Sequence, residues 1–222
     1  MRVLVFDTET TGLIPSGYPR MQSTVSKFPH IVQLSYLVYD TEKDKIIHEQ
    51  DDIIRLPDEI VIPEKCTAIH GITKRLSINR GIYIDNALEI LTLYVKQCQC
   101  IVAHNIDFDL GMIDVECMRA NISNPFTSDK IYYCTMNKTK DICNIVCNYR
   151  SVGPNGMMRM ASYIKKPSLI ELHTHLFKRS AKGLHDSMID VRVCFRCFLK
   201  VVYNKEYDFS SNKLSLQDFE II

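Results

Sequence analysis

The stretch Val3-Leu4-Val5-Phe6-Asp7-Thr8-Glu9-Thr10-Thr11-Gly12-Leu13 decides the fold of this chain. Its first four residues are apolar, which is typical of a short buried β-strand. Side chains two apart on a strand share a face, so Asp7 and Glu9 are expected to project together from the strand end. Two adjacent carboxylates raise each other's pKa unless a cation lies between them. The stretch therefore predicts a site for a hard divalent cation such as Mg²⁺ or Mn²⁺.

A surface turn is the alternative interpretation of this stretch, because Asp and Thr are frequent in turns. A buried strand that runs directly into two acids and a glycine is more specific than a turn. Gly12 would let the backbone approach a ligand closely or adopt a positive φ angle.

A second acidic segment, His104-Asn105-Ile106-Asp107-Phe108-Asp109, follows another short apolar run. The pattern predicts a strand at residues 100–103 and a helix beginning near Phe108. Asp109 is favoured as a metal ligand, and Asp107 competes with it because the sequence does not show which side chain faces inward. A capping acid at a helix N-terminus is the simpler alternative for Asp109.

The third segment contains His185 and Asp190, five residues apart at the start of the predicted last helix. Both side chains reach one cleft if His185 lies on the loop before that helix. Alone, His185 would be taken for an exposed loop histidine. Asp190 lies between Ile189 and Val191, and an acid facing the core needs a partner.

Alternation and helical spacing along the rest of the chain predict a mixed sheet flanked by helices, with the first three strands in an antiparallel meander. The further strands are expected at residues 31–39, 45–55, 100–103 and 132–136. The helices are expected at residues 63–69, 82–97, 108–120, 168–176 and 186–203. Gly71 is a helix stop and Ser168 an N-cap. Residues 14–30 form a surface loop, and residues 138–160 have no clear period.

Composition indicates an ordinary globular chain of 222 residues with 46% hydrophobic residues and a net charge of +1. Nucleic-acid binding would thus depend on local patches and metal ions rather than on a global field. Without a signal peptide or a long apolar run, the expectation is a soluble intracellular protein, cytoplasmic or nuclear, with no membrane association. The nine cysteines are expected to be reduced core residues, with a structural zinc at Cys143 and Cys147 or at Cys194 and Cys197 as the less favoured alternative.

Together the three segments resemble the DEDDh branch of the DnaQ-like 3′–5′ exonucleases. The first matches the family's Asp-x-Glu-Thr-Thr-Gly-Leu motif. The second matches His-Asn-x-x-Phe-Asp and places the family aspartate at Asp109. The third matches a histidine followed five residues later by an aspartate. Residues 29–34 and 69–73 also resemble family segments, so the resemblance covers roughly residues 2 to 200.

The resemblance implies an RNase H-like fold and a two-metal hydrolysis of phosphodiester bonds with two Mg²⁺, for which Mn²⁺ could substitute. Asp7 would bridge both ions, Glu9 and Asp190 would hold the ion that activates water, and Asp109 would support the other. His185 would act as the general base. The product would be a nucleoside 5′-monophosphate released from the 3′ end of single-stranded DNA or RNA, with DNA favoured.

Contacts to the nucleic acid are expected at several positions outside the acids. The predicted substrate-binding residues are Thr10, Thr11, Gly12, Leu13, His70, Asn105 and Lys182. A helix-end cap is the alternative role for His70. Lys165-Lys166 and Lys178-Arg179 are further candidates for phosphate contacts.

Residues 1–203 are expected to form the exonuclease domain, with residues 204–222 as a C-terminal tail packed on it or extending from it. A role in DNA repair or proofreading, a polymerase or repair partner and a homodimer are left open. The alternatives for function are a catalytically silent nucleic-acid-binding module on the same fold and a hydrolase of short oligonucleotides.

Overall fold

A five-stranded mixed sheet forms the centre of the molecule in the computed structural model, which describes residues 1–152, 157–181 and 183–209. Its strands are β1 (Arg2–Thr10), β2 (Ile31–Asp40), β3 (Lys45–Ile53), β4 (Cys100–Ala103) and β5 (Ile131–Cys134). They lie in the order β3-β2-β1-β4-β5. The first three pair antiparallel, and β4 and β5 run parallel to β1. The predicted meander and parallel strands are confirmed.

Eight helices accompany the strands in the described residues. They are α1 (Glu64–His70), α2 (Lys74–Arg80), α3 (Ile84–Gln97), α4 (Ile106–Ala120), α5 (Thr135–Lys138), α6 (Lys140–Cys143), α7 (Leu169–Phe177) and α8 (Ser187–Tyr203). None of the helices in this part of the chain is long and apolar enough to cross a membrane.

The sheet has an apolar core on each face, as the alternation along β1 requires. Leu4 and Phe6 pack in a cluster with residues of α3 and α4. Val3 and Val5 point to the other face and pack in a cluster with residues of α8. The side chains of β1 that follow on the α8 face are Asp7 and Glu9, so this face changes from apolar to acidic within one strand.

Local signals placed two helix ends correctly. Gly71 ends α1 with a φ of 75°, and its N–H donates to the carbonyl of Thr67. Ser168 and Glu171 form a capping box at the start of α7. Each arrangement depends on residues a few positions apart, and such short-range signals are readable from sequence.

Several element boundaries differ from the predictions by a few residues, and some short helices were not predicted. β1 continues through Thr10, and α4 begins two residues before Phe108. The expected strand at residues 132–136 turns into α5 after Cys134. The predictions omitted α2, a helix of seven residues.

The largest omission lies in residues 138–160, where the chain forms α6 and a second, two-stranded sheet. This sheet is an antiparallel hairpin of β6 (Ile145–Val152) and β7 (Met158–Lys165). Both of its faces are largely exposed, so its sequence lacks the apolar alternation of a half-buried strand. The hairpin interrupts the five-stranded fold between α6 and α7.

All nine cysteines are free thiols, and eight of them are buried. Cys194 and Cys197 lie within α8, and Cys143 packs against α7 and α8. Within the described residues, the one grouping of ligating side chains close enough to hold a metal ion contains no cysteine. The expectation of small reduced core residues agrees with these positions.

Candidate active site

The end of β1 provides the first two acids of the site. Asp7 pairs with Ser35 and Glu9 pairs with Gln33 on the neighbouring strand β2. The main-chain carbonyl of Asp7 accepts a hydrogen bond from the Ser187 hydroxyl at 2.9 Å. This bond fixes the first turn of α8 against the strand end, so strand and helix share one cleft.

Asp109 reaches the same strand from α4 and is 2% exposed. Its Oδ1 accepts hydrogen bonds from the amide of Thr8 at 3.0 Å and from the Thr8 hydroxyl at 2.8 Å. Asp107 is exposed to solvent. The structure therefore brings Asp109, the favoured residue of the two, to the acids of β1 and leaves Asp107 outside.

Glu9, His185 and Asp190 form the tightest group of ligating atoms, which all lie within 4.8 Å of one another. His185 stands in the turn before α8 with a left-handed φ of 76°. Its backbone N–H donates to Asp190 Oδ2 at 3.2 Å. The imidazole and the two carboxylates thus meet although Glu9 and His185 are 176 positions apart in the sequence.

Burial places the acids in an unfavourable electrostatic environment. It raises the pKa of Asp7 to about 6 and the pKa of Glu9 and of Asp190 to about 8. It also raises the pKa of Asp109 well above its ordinary value. Repulsion from Asp7 adds to the rise at each of the other three. Burial and mutual repulsion thus disfavour the charged form of these four acids, and a bound cation would favour it.

A hard divalent cation fits this donor set. The ligating atoms are carboxylate oxygens with one imidazole beside them, which suits Mg²⁺ or Mn²⁺ better than a soft metal. Asp190 Oδ1 is buried and has no hydrogen-bond partner among the described residues. A buried carboxylate oxygen without a partner is costly, and coordination to a cation would remove that cost.

Three residues that position the site were missed by the sequence-based predictions. Asp186 caps α8 through the amides of Met188 and Ile189, and its charge raises the pKa of Asp190 further. Ser187 is fully buried and donates to the backbone of β1. Gln33 accepts from the Ser187 amide at 3.4 Å. An aspartate just before an apolar helix indicates a cap, whereas no local pattern could reveal the contacts of the other two.

The end of β1 and the loop after it hold four of the predicted substrate-binding residues. The Thr10 hydroxyl donates to the Gly12 carbonyl at 2.6 Å, and Thr11 Oγ1 accepts from the His30 amide at 2.9 Å. Leu13 is 84% exposed. Gly12 lacks a positive φ, and a Cβ there would meet nothing closer than Pro29 at 4.0 Å. A positive φ angle is therefore not the reason for a glycine at position 12. Close approach of a ligand to the backbone is the explanation that remains.

The other predicted substrate-binding residues occupy different environments. His70 is buried beside the backbone of Thr10, and its Nδ1 accepts from the Ile72 amide at 3.1 Å in the turn between α1 and α2. Asn105 is exposed with a left-handed φ of 69° at the start of α4. Lys182 lies outside the described residues.

Comparison of the sequence with protein-family models shows the class of protein to which this chain belongs. Residues 4–198 match the family model RNase_T, described as an exonuclease. This chain therefore belongs to the RNase_T exonuclease family, a class of nuclease hydrolases. No curated protein sequence matches the chain.

Solved structures of nucleases share the fold of this chain. The nuclease domain of 3′hExo, a DEDDh family member bound to rAMP, matches with a TM-score of 0.61 and 13% identity over 93% of this chain and 96% of that one. E. coli Exonuclease I in complex with a dA16 oligonucleotide matches with a TM-score of 0.60 and 16% identity over 90% of this chain. This chain spans 41% of the length of that Exonuclease I chain. The resemblance to DEDDh exonucleases and the RNase H-like fold are confirmed.

Proposed function

We propose that this protein is a metal-dependent 3′–5′ exonuclease that removes nucleoside 5′-monophosphates from the 3′ end of single-stranded nucleic acid, DNA in preference to RNA. The observation that supports this most is the convergence of Glu9, His185 and Asp190 within 4.8 Å at the end of β1. Family membership supplies the reaction class, and the solved relatives were crystallised with an oligonucleotide and with a mononucleotide.

Four carboxylates would hold two Mg²⁺ ions, which Mn²⁺ could replace. The charge of Asp7 raises the pKa of each of the other three acids. Asp7 is therefore our candidate for the ligand shared by both ions. When bound, such ions supply an activated water and stabilise charge on the leaving 3′ oxygen.

His185 is our candidate for the general base. Its side chain is exposed at the mouth of the site, while its backbone is held by Asp190. An imidazole can accept a proton near neutral pH, and the one beside Glu9 and Asp190 would take the proton of the attacking water. The backbone hydrogen bond holds the turn that carries His185 against Asp190.

The terminal nucleotide would lie against the loop after β1. The exposed side chain of Leu13 offers an apolar surface for a base, and the bare backbone at Gly12 admits a sugar or phosphate. Thr10, Thr11, His70 and Asn105 would complete this subsite, and Lys182 would contact a phosphate.

The direct test is degradation of 5′-labelled and 3′-labelled single-stranded DNA and RNA of graded length, with Mg²⁺, Mn²⁺ or EDTA. We expect a ladder that shortens from the 3′ end, mononucleotide product and no cleavage in EDTA. Asp7→Asn should lower the rate by at least about a thousandfold, because it removes the shared ligand. The matched control is Asp107→Asn, an exposed acid two residues from Asp109, which should keep full activity.

Each outcome separates the proposal from its alternatives. Cleavage limited to the shortest oligomers would assign a hydrolase of short oligonucleotides. Binding without cleavage under every metal condition would assign a silent binding module. Activity that survives Asp7→Asn would reject this site as the catalytic centre. The polymerase or repair partner, the homodimer, the cellular compartment and the division at residue 203 stay predictions.

A further inference from the structure

The β6–β7 hairpin lacks acidic residues. From residue 142 to residue 170 the sequence contains no Asp or Glu, and it contains four basic residues: Arg150, Arg159, Lys165 and Lys166. Lys165 forms an ion pair with Glu171 at the start of α7. No ion pair forms at Arg150, Arg159 or Lys166 within the described residues. In a chain with a net charge of only +1, this hairpin is a local positive surface.

The pairing register gives the hairpin two chemically different faces. Tyr149 pairs with Ala161, Cys147 with Tyr163 and Ser151 with Arg159. Directly paired residues share a face, so Tyr149, Arg159 and Tyr163 lie on one face, which we call the tyrosine face. Val152, Met158 and Met160 lie on the other, which we call the methionine face.

The tyrosine face presents two exposed aromatic rings. Tyr149 is 49% and Tyr163 is 53% exposed, and their ring centroids lie 5.9 Å apart at 66°. Arg159 lies diagonally across from Tyr149 on the same face. Aromatic rings interleaved with unpaired cations are the elements with which proteins bind single-stranded nucleic acid.

The base of the hairpin lies beside the candidate active site. Ile145, the first residue of β6, packs in the same cluster as Leu184 and Ile189. These two are the chain neighbours of His185 and Asp190. At the same base, just after the end of β7, the Pro167 carbonyl lies 3.1 Å from Nε2 of His104, a residue that comes shortly before α4 and Asp109. A strand whose 3′ end lies at the acids could thus continue onto the hairpin.

We propose that the tyrosine face of the β6–β7 hairpin binds the single-stranded nucleic acid upstream of the terminal nucleotide. Tyr149 and Tyr163 stack with bases, and Arg159 contacts a phosphate. Charge complementarity between an acid-free hairpin and a polyanion selects this occupant over a protein. The inference rests on the proposed function, to which it adds the site that holds the body of the substrate.

The test is the affinity for 20-nucleotide oligothymidylate and oligouridylate carrying a 5′ fluorophore, measured by anisotropy in EDTA. Tyr149→Thr/Tyr163→Thr removes both rings and introduces β-branched residues, which favour strands. We expect its Kd to rise at least about tenfold, since each stacked base contributes measurably. Tyr149→Phe/Tyr163→Phe keeps the rings and should bind like the wild type. Arg159→Gln should lower the slope of log K against log salt by about 0.7, as for one lost phosphate contact.

The methionine face provides the matched control. Val152→Thr/Met158→Thr changes the same hairpin on its other side and should leave oligonucleotide affinity unchanged. Circular dichroism and thermal unfolding confirm that each variant is folded. An unchanged Kd in the threonine pair of the tyrosine face, or an equal loss in the methionine-face variant, would overturn the proposal. The proposal would also be overturned if no variant affected oligonucleotide binding and light scattering showed a dimer that only the methionine-face variant dissociates.

Hydrolysis of a dinucleotide separates this proposal from the proposed function. A dinucleotide lacks the longer upstream stretch that the hairpin is proposed to bind, so the tyrosine-face variants should cleave it at the wild-type rate. If the wild type cleaves nothing, the exonuclease assignment fails, and the EDTA binding experiment still decides the role of the hairpin. If the tyrosine-face variants lose dinucleotide cleavage as well as binding of the 20-nucleotide strands, the substitutions disturb the active site itself and the proposal is wrong.

Discussion

At the scale of single residues, the acids at the end of β1 are arranged for ligand binding at the expense of stability. Asp190 has one buried oxygen without a partner, and Glu9 experiences repulsion from Asp7, Asp190 and Asp186. Replacing these contacts with neutral ones would stabilise the empty fold. A cation bound between these acids would offset the repulsion, which accounts for their presence.

The raised pKa of Glu9 gives a signed dependence of stability on pH. The folded-state pKa is about 8 and the ordinary value is 4.5. Between these values the folded chain keeps a proton that the unfolded chain has lost, so this contribution to stability falls as pH rises. In EDTA we expect the Tm to fall from pH 5 to pH 8. Glu9→Gln should reduce that fall, by about 2–4 °C for each kcal/mol of repulsion removed.

Thermal unfolding at both pH values tests this, with Glu89→Gln on the exposed surface of α3 as the control. Mg²⁺ should raise the Tm of the wild type at pH 8 and have less effect on Glu9→Gln. A wild-type Tm that rises steadily from pH 5 to pH 8 in EDTA would contradict the assigned repulsion.

His185 offers a second test, because its backbone conformation limits the useful substitutions. Its φ of 76° is left-handed, and asparagine tolerates that region better than alanine does. His185→Asn should lower kcat by roughly 10²–10⁴-fold with little change in Mn²⁺ affinity, because it removes the base and leaves the carboxylates. His175→Asn, an exposed histidine on α7, serves as the control. Wild-type kcat in His185→Asn would exclude the general-base role.

At the scale of elements, the loop between β1 and β2 is fixed to α4 by hydrogen bonds from Arg119, which also forms an ion pair with Glu116 on the same helix. Arg119 donates to the carbonyls of Val25, Phe28 and Pro29 and to Glu116 Oε1 at 2.8 Å. Glu116 in turn accepts from the Ile31 amide at the start of β2. The same loop approaches α4 at Gly111, where a Cβ would lie 2.3 Å from the Arg20 side chain. The loop after Leu13 is thus part of the packed structure.

Removing one partner of that ion pair should be strongly destabilising. Arg119→Met leaves the buried Glu116 carboxylate without its cation and frees three loop carbonyls. We expect a loss of about 3 kcal/mol in the free energy of unfolding and faster proteolysis within residues 14–30. Denaturant unfolding measures the loss, and Glu116→Met/Arg119→Met should recover part of it. A loss below about 0.5 kcal/mol in the single variant would mean that the pair does not hold the loop.

Short-range patterns predicted much of the fold, and long-range contacts account for what was missed. The apolar run of β1, Gly71 and Ser168 each act within a few residues, so their strands and caps could be predicted. The β6–β7 hairpin buries neither face, which removes the pattern by which strands are recognised. The three motifs predicted which acids converge. The supporting contacts of Gln33, Ser187 and Glu116 join positions 85 or more residues apart, and no local pattern reports them.

At the scale of the whole molecule, the mixed sheet brings three distant segments to one edge. β1 supplies two acids, α4 supplies the third from one face of the sheet, and α8 with its preceding turn supplies the fourth and the histidine from the other. Apolar clusters on both faces fix these elements. The C-terminal segment adds Tyr207, whose hydroxyl accepts from the Ile46 amide, and so packs on the same body as β3.

The central claim is that this edge of the sheet binds divalent cations through the four acids. The most direct measurement is anomalous diffraction from crystals of the wild type soaked in MnCl₂, with Asp7→Asn as the comparison. We predict two manganese peaks, each within about 2.3 Å of carboxylate oxygens from Asp7, Glu9 or Asp190. Asp109 should contact one of the ions directly or through one water. The Asp7→Asn crystals should lose at least one of the two peaks. Saturating manganese without a peak among these side chains would contradict the account.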